Sequence, residues 1–234
     1  MPVHEQVLGS TQPVLSISLE PGERIIAATG EFAWMTDSIQ MTAGLAGLSD
    51  YMATGQAGTV AFASRLPGSI LQIEVSPECE YLVHCNGFVA GTPGIEVSIG
   101  FQQTLATAEV SAEQFMLRRI GGRGSAWVGL SGDVVRRDLA AGTSLRTHPW
   151  HVGMSDASVA VQMAELAAPA GSDLRADAQH FAVLSGPGTV WLQSMPPYAS
   201  PYRRLTAGPI QAHSLPAVEG AAGPDAPPLD PAAS

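Results

Sequence analysis

Much of this chain is one motif written three times, and that internal repeat limits the possible folds more than any other feature. A glycine opens a strand-like run in three places: Gly58-Thr59-Val60-Ala61-Phe62-Ala63-Ser64, Gly124-Ser125-Ala126-Trp127-Val128 and Gly188-Thr189-Val190-Trp191-Leu192-Gln193-Ser194. An aromatic precedes each glycine by a similar step (Tyr51, Phe115 and Phe181). A turn of small residues or proline comes before a strand at Leu19-Glu20-Pro21-Gly22, Arg65-Leu66-Pro67-Gly68 and Leu139-Ala140-Ala141-Gly142. Ile39-Gln40-Met41, Ile95 to Ile99 and Val159 to Met163 close the units, and Gly22 to Ile39 spans the same step as Gly142 to Val159. On this alignment the middle unit carries about ten extra residues between Gly68 and Ile95, the kind of insertion that repeat arrays accept. Units of this size cannot bury an apolar face alone and must stack on one another.

The expected fold is therefore all-β: a β-sandwich or shortened double-stranded β-helix with three pseudo-symmetric repeats, at about residues 14–64, 65–130 and 131–195, in one domain over 1–205. Alternation in Val14 to Leu19 marks a strand with one buried face. Arg24 to Ala28 and Phe32 to Thr36 read as a hairpin, and Asn86-Gly87 is the strongest short hairpin signal. Thr42 to Ala53 reads as a loop or one helical turn, and Ser111 to Gln114 as a helix start. Phe181 to Met195 is expected to complete the body by pairing with the first unit. Residues 167–177 read as a polar loop, and 206–234, rich in Pro, Ala and acid, as a disordered tail too poor in apolar surface to offset its chain entropy.

A 234-residue chain that is 45% hydrophobic and only 14% charged is long enough and apolar enough to build a core. Its formal net charge of −10 argues against nucleic acid and anionic lipid as partners. The local exception is Arg118, Arg119, Arg123, Arg136 and Arg137, a candidate anion or partner patch if they share a face, and a charged guard on a sheet edge otherwise. All eleven basic residues are arginine, which reads as codon bias. The N-terminus lacks the basic region and apolar core of a secretory signal. No apolar run reaches the ~18 residues of a membrane helix. With Cys79 and Cys85 the only cysteines, the expectation is a cytoplasmic protein with reduced thiols, without a membrane span and with peripheral membrane association left open.

Chemistry is thinly signalled. His148-Pro149-Trp150-His151 is the best metal candidate, with His84 as a third ligand, but Pro149 blocks the helix that would gather both rings on one side. A turn around a packed tryptophan is the favoured reading, and His148 and His151 remain weak metal candidates. Gly121 to Ser125 lacks the lysine of a phosphate-binding loop. No G-x-S-x-G elbow accompanies the scattered Ser, His and Asp residues. Trp127 and Trp191, with Phe62 as third member, read as symmetric core packing. No catalytic residue and no cofactor are assigned.

Gly22-Glu23-Arg24 through Met41, the Leu66-Pro67-Gly68 turn, Phe115 to Gly142 and Ser185 to Gln193 together resemble the family of the altered inheritance of mitochondria protein 24 over roughly residues 10–195. Order and spacing carry the match. The resemblance implies a fold like that of the tryptophan RNA-binding attenuation protein and supplies no catalytic residues. Its mitochondrial members are linked to inner-membrane organisation, which a bacterial-type chain without presequence or span does not directly inherit. The functional expectation is a non-enzymatic β-scaffold acting through protein partners or self-association. The alternative is small-ligand or nucleic-acid binding by analogy with the attenuation-protein fold.

Overall fold

The computed structural model describes residues 4–44, 46–105, 113–165 and 180–196. The polar loop expected at 167–177 and the tail expected at 206–234 lie outside the described residues. Within them the chain is nearly all strand, with two short 3-10 turns at Thr29–Glu31 and Pro149–His151 and no α-helix. After a lead strand β1 (His4–Leu8) come three sets of six. The first holds β2 (Val14–Leu19), β3 (Arg24–Ala28), β4 (Phe32–Met35), β5 (Ile39–Ala43), β6 (Leu48–Ala53) and β7 (Gly58–Ala63). The second holds β8 (Gly68–Val75), β9 (Tyr81–His84), β10 (Phe88–Gly91), β11 (Ile95–Leu105), β12 (Glu113–Gly122) and β13 (Gly124–Ser131). The third holds β14 (Val134–Leu139), β15 (Ser144–Thr147), β16 (Val152–Asp156), β17 (Ala160–Glu165), β18 (His180–Ser185) and β19 (Gly188–Gln193).

Each unit divides its strands between two sheets. Its first, third and sixth strands lie in one sheet, and its second, fourth and fifth lie in the next. The four sheets run β1-β2-β7-β4, β5-β6-β3-β10-β13-β8, β11-β12-β9-β16-β19-β14 and β15-β18-β17. The two six-stranded sheets are thus shared, half from one unit and half from its successor. They are joined across β3·β10 and β9·β16, both antiparallel.

Three apolar cores fill the spaces between successive sheets. The first gathers Leu15, Ile17, Ile25, Tyr51, Phe62 and Trp127; the second Ile73, Val83, Val128, Leu130 and Met154; the third Leu82, Leu117, Trp150, Val152 and Val190. Leu82 and Val83 are neighbours on β9 yet belong to different cores, as strand alternation requires of a sheet buried on both faces.

The ladders also correct the repeat alignment. Ile25, Tyr81 and Leu145 hold the same place against their partners Tyr51, Ile120 and Leu184. Ile39, Ile95 and Val159 each donate a backbone N–H to the residue three before, Thr36, Thr92 and Asp156. The stretch from Gly22 to Ile39 therefore matches Glu78 to Ile95 in the middle unit, with no insertion. Gly68 stands between units instead, at the head of β8. The step from the fourth strand to the fifth is the same in the middle unit (Ile95 to Ile120) as in the third (Val159 to Leu184) and shorter only in the first (Ile39 to Tyr51), so the middle unit has no insertion of its own there. Tyr51, not matched to Phe115 or Phe181, corresponds to Ile120 and Leu184. Trp127 and Trp191 correspond to Ala61, since these three oppose Ala90, Met154 and Trp34; Phe62 corresponds to Val128 and Leu192.

Two expected hairpins are crossings. β3 and β4 lie in different sheets, as do β9 and β10 on either side of Asn86-Gly87. Gly87 donates its N–H to the His84 carbonyl at 2.7 Å, closing a turn that carries the chain over a core instead of back along a ladder. Glu113 and Gln114 begin strand β12, and the stretch from Thr42 to Ala53, expected as a loop or helical turn, is instead the end of β5, a short turn and the whole of strand β6. Lastly, β18 and β19 pair only with β14 to β17 of their own unit. Among the described residues they do not return to the first unit, and the array of described strands is open at both ends.

Candidate interaction surface

The consequence of that openness is clearest on β4. Its counterparts β10 and β16 are inner strands, and Phe88, Val89, Ala90, Val152 and Met154 on them are all buried. β4 ends its sheet, with β7 on one side and no described strand on the other. Phe32, Trp34 and Met35 are 38%, 50% and 37% exposed, against 2% for Phe88 at the place of Phe32. All three copies carry the same bulge on this strand, at Phe32/Trp34, Phe88/Ala90 and Val152/Met154, so the backbone shape is common and only the neighbour differs.

Local contacts hold the strand in place. Glu31, immediately before it, is buried and bonds the Arg65 guanidinium at 2.6 Å; burial pushes its carboxyl pKa up, while Arg65 opposes the shift. Gly30 lies so close to that guanidinium that a Cβ would overlap Arg65 Nη2. Phe32 stacks on Tyr51 with ring centroids 5.8 Å apart, which keeps its inner face on the first core. An unpaired row of backbone N–H and C=O groups beside exposed aromatic and thioether side chains is a template for strand addition.

The five arginines are not brought together. Arg118 and Arg119 are consecutive on β12, so they point to opposite faces of its sheet, and the same holds for Arg136 and Arg137 on β14. Following the ladders across β9, β16 and β19 puts Arg118 and Arg136 on one face, and Arg119 and Arg137 on the other. Four strand spacings, about 19 Å, separate the two strands. Arg119 donates to Glu80 at 2.7 Å, and Arg136 donates to Asp138 at 3.2 Å while lying over the Trp191 ring at 5.8 Å. Arg118 borders a cleft with Glu31, Arg65, Cys85 and Asn86, and Arg123 is exposed in the β12–β13 turn.

His148 and His151 flank the turn around the buried Trp150, with ring centroids 6.1 Å apart. His151 Nδ1 donates to the Gln193 carbonyl at 2.7 Å. His84 packs its ring edge-to-face on Trp150 at 5.6 Å, and burial lowers its pKa to about 4. Among the described residues no three His, Cys, Asp or Glu side chains gather as a metal site would need. Cys79 and Cys85 are free thiols, the first exposed.

A family model described as mitochondrial biogenesis AIM24 matches residues 6–195, nearly the whole described body. The chain belongs to the AIM24 family. No curated protein matches it with significance. Among solved structures, the crystal structure of protein SPYM3_0169 from Streptococcus pyogenes is similar with a TM-score of 0.66 at 15% identity, covering 83% of this chain and 94% of that one. That likeness establishes the fold, an all-β body of several antiparallel sheets. No helix among the described residues of this AIM24 protein is long and apolar enough to cross a membrane. The residues that stand out, Phe32, Trp34 and Met35, were overlooked in the sequence because β4 reads as an ordinary half of a hairpin. Aligning it with Phe88-Val89-Ala90 and Val152-Gly153-Met154 exposes the anomaly: a large indole where the inner copies carry Ala90 and Met154.

Proposed function

We propose that this AIM24 protein is a non-enzymatic β-scaffold that works in the cytoplasm through protein contacts at an open sheet edge. The observation that carries the reading is the exposure of Phe32, Trp34 and Met35 on β4, at positions filled by buried residues on β10 and β16. A protein strand added there would satisfy the free backbone groups and cover the side chains, as β3 and β9 do for β10 and β16. Organising work of this kind is in keeping with the family's description, mitochondrial biogenesis, and contact with a membrane would come through the protein the scaffold holds. The distribution of the arginines over both faces of one sheet gives the alternative, a nucleic-acid or anion site, little to build on.

The test is a crosslinked pull-down from native cells, split into membrane and soluble fractions, with wild type beside Trp34→Glu. Protein partners, including the chain itself, that are captured by wild type and lost by the variant support the reading. A capture pattern that Trp34→Glu leaves unchanged refutes it.

A further inference from the structure

The two ends of the array are complementary halves of one object. The first sheet contributes the first, third and sixth strands of a unit, β2, β4 and β7, with β1 outside them. The last sheet contributes the second, fourth and fifth, β15, β17 and β18. Each inner sheet is the sum of those two halves, in the order fourth-fifth-second-third-sixth-first. The strands missing from one end are the strands exposed at the other. Resting on the scaffold reading above, we infer that the partner of the β4 edge is the β15 edge of a second copy, giving head-to-tail assembly by sheet completion.

The register follows from the two internal junctions. Ala90 faces Ala27 and Gly91 faces Ile26; Met154 faces Val83 and Ser155 faces Leu82. Trp34 holds the place of Ala90 and Met154, and Thr147 holds that of Ala27 and Val83. The junction thus sets Trp34 opposite Thr147 and Met35 opposite Arg146 of the second copy.

The third core points the same way. Leu15 is fully buried in the first unit, where β8, β10 and β13 cap its core, whereas Val135, its counterpart in the third, is 39% exposed. Leu139, Leu145 and Leu192 also lie only partly buried at that end, where Leu19, Ile25 and Phe62 are sealed in the first unit. The outer face of β2 and β7 would cover them. It offers Trp34 of the adjoining β4 and small polar residues (Ser16, Ser18 and Thr59), and Arg137, standing at the place of Ile17, would meet the serines there. The contact is heterologous, so it closes into a ring or grows as a filament according to the rotation per unit.

The experiment uses the full chain with Cys79 and Cys85 changed to Ala, carrying either Met35→Cys or Arg146→Cys. Mixed and mildly oxidised, the two are expected to form a disulfide-linked pair of twice 24.2 kDa, with neither forming it alone. Light scattering of wild type should give a mass above 24.2 kDa, and Trp34→Glu a monomer with an unchanged circular dichroism spectrum. Crosslinking of Met35→Cys to itself would mean that β4 pairs with β4, and overturns the proposal. So does a wild type that is monomeric at 100 µM on the scale of ordinary association constants. If that monomer still captures another protein through Trp34, head-to-tail pairing fails and the scaffold reading stands; if Trp34→Glu changes neither mass nor capture, both fail.

Discussion

Phe32 and Phe88 are the same residue at the same place in two units, and they differ in whether another unit lies alongside. Replacing each with Ala therefore measures what that neighbour contributes. Phe88 is 2% exposed in the second core, so Phe88→Ala removes a sealed ring and leaves a cavity, a loss of about 4 kcal/mol. Phe32 is 38% exposed and stacks on Tyr51; its truncation opens to solvent and leaves no closed void. With roughly three fifths of the ring's transfer free energy at stake, Phe32→Ala should cost about 1.5 kcal/mol. The assay is urea unfolding followed by tryptophan fluorescence at sub-micromolar protein, comparing midpoints at common slope. A gap near 2.5 kcal/mol is expected. Equal losses at this dilution would refute the argument that β4 is an uncovered copy of β10. At concentrations where the β4–β15 junction forms, the gap should narrow, because the second copy supplies the missing neighbour.

Further outcomes follow from single contacts. Gln193 accepts from the Ser131 N–H and donates to the Trp150 carbonyl, both buried, so Gln193→Ala should cost about 2–3 kcal/mol in chemical denaturation by stranding two backbone groups. Gly122 has φ +93°, and a Cβ there would overlap the Gly94 carbonyl, so Gly122→Ala should cost at least about 2 kcal/mol, read as a lowered Tm. His84 has its pKa lowered by burial to about 4, against about 6.5 in the unfolded chain, so between those values the unfolded state binds the extra proton. Stability should fall as pH drops through that window, by about 3 kcal/mol from this group, and His84→Phe should flatten the slope of unfolding free energy against pH. Arg65→Ala should destabilise more at pH 8 than at pH 5, because Glu31 without its guanidinium stays folded best when protonated.

The repeats and the all-β class were legible because period-2 alternation and turn glycines are local signals. Gly58, Gly124 and Gly188 do head equivalent strands, and Pro149 does make a turn about Trp150. What stayed hidden was which sheet a strand joins after a tight turn. Asn86-Gly87 turns the chain equally well into a hairpin or across a core, and only the distant ladders Ala90↔Ala27 and Met154↔Val83 decide. The same blindness misplaced Gly68, since a turn between units and a turn within one share their chemistry. It also hid β4: Phe32-Ala33-Trp34 has the composition of a buried strand, and its exposure depends on a ladder that the third unit does not provide. For the arginines the signal was misleading in a simple way, because adjacency along a strand separates side chains across a sheet.

The sharing of each inner sheet between successive units sets how this chain can change in length. Excising residues 68–131 as a block would bring β16 to the side of β3 that β10 now occupies, strand for strand, and the joint would close again. Duplicating the same block would do the reverse. A one-residue insertion inside a strand such as β13 would instead turn every side chain beyond it to the other core. Length in this fold thus comes in steps of one whole unit, and a chain of two or four units would present the same pair of unmatched ends.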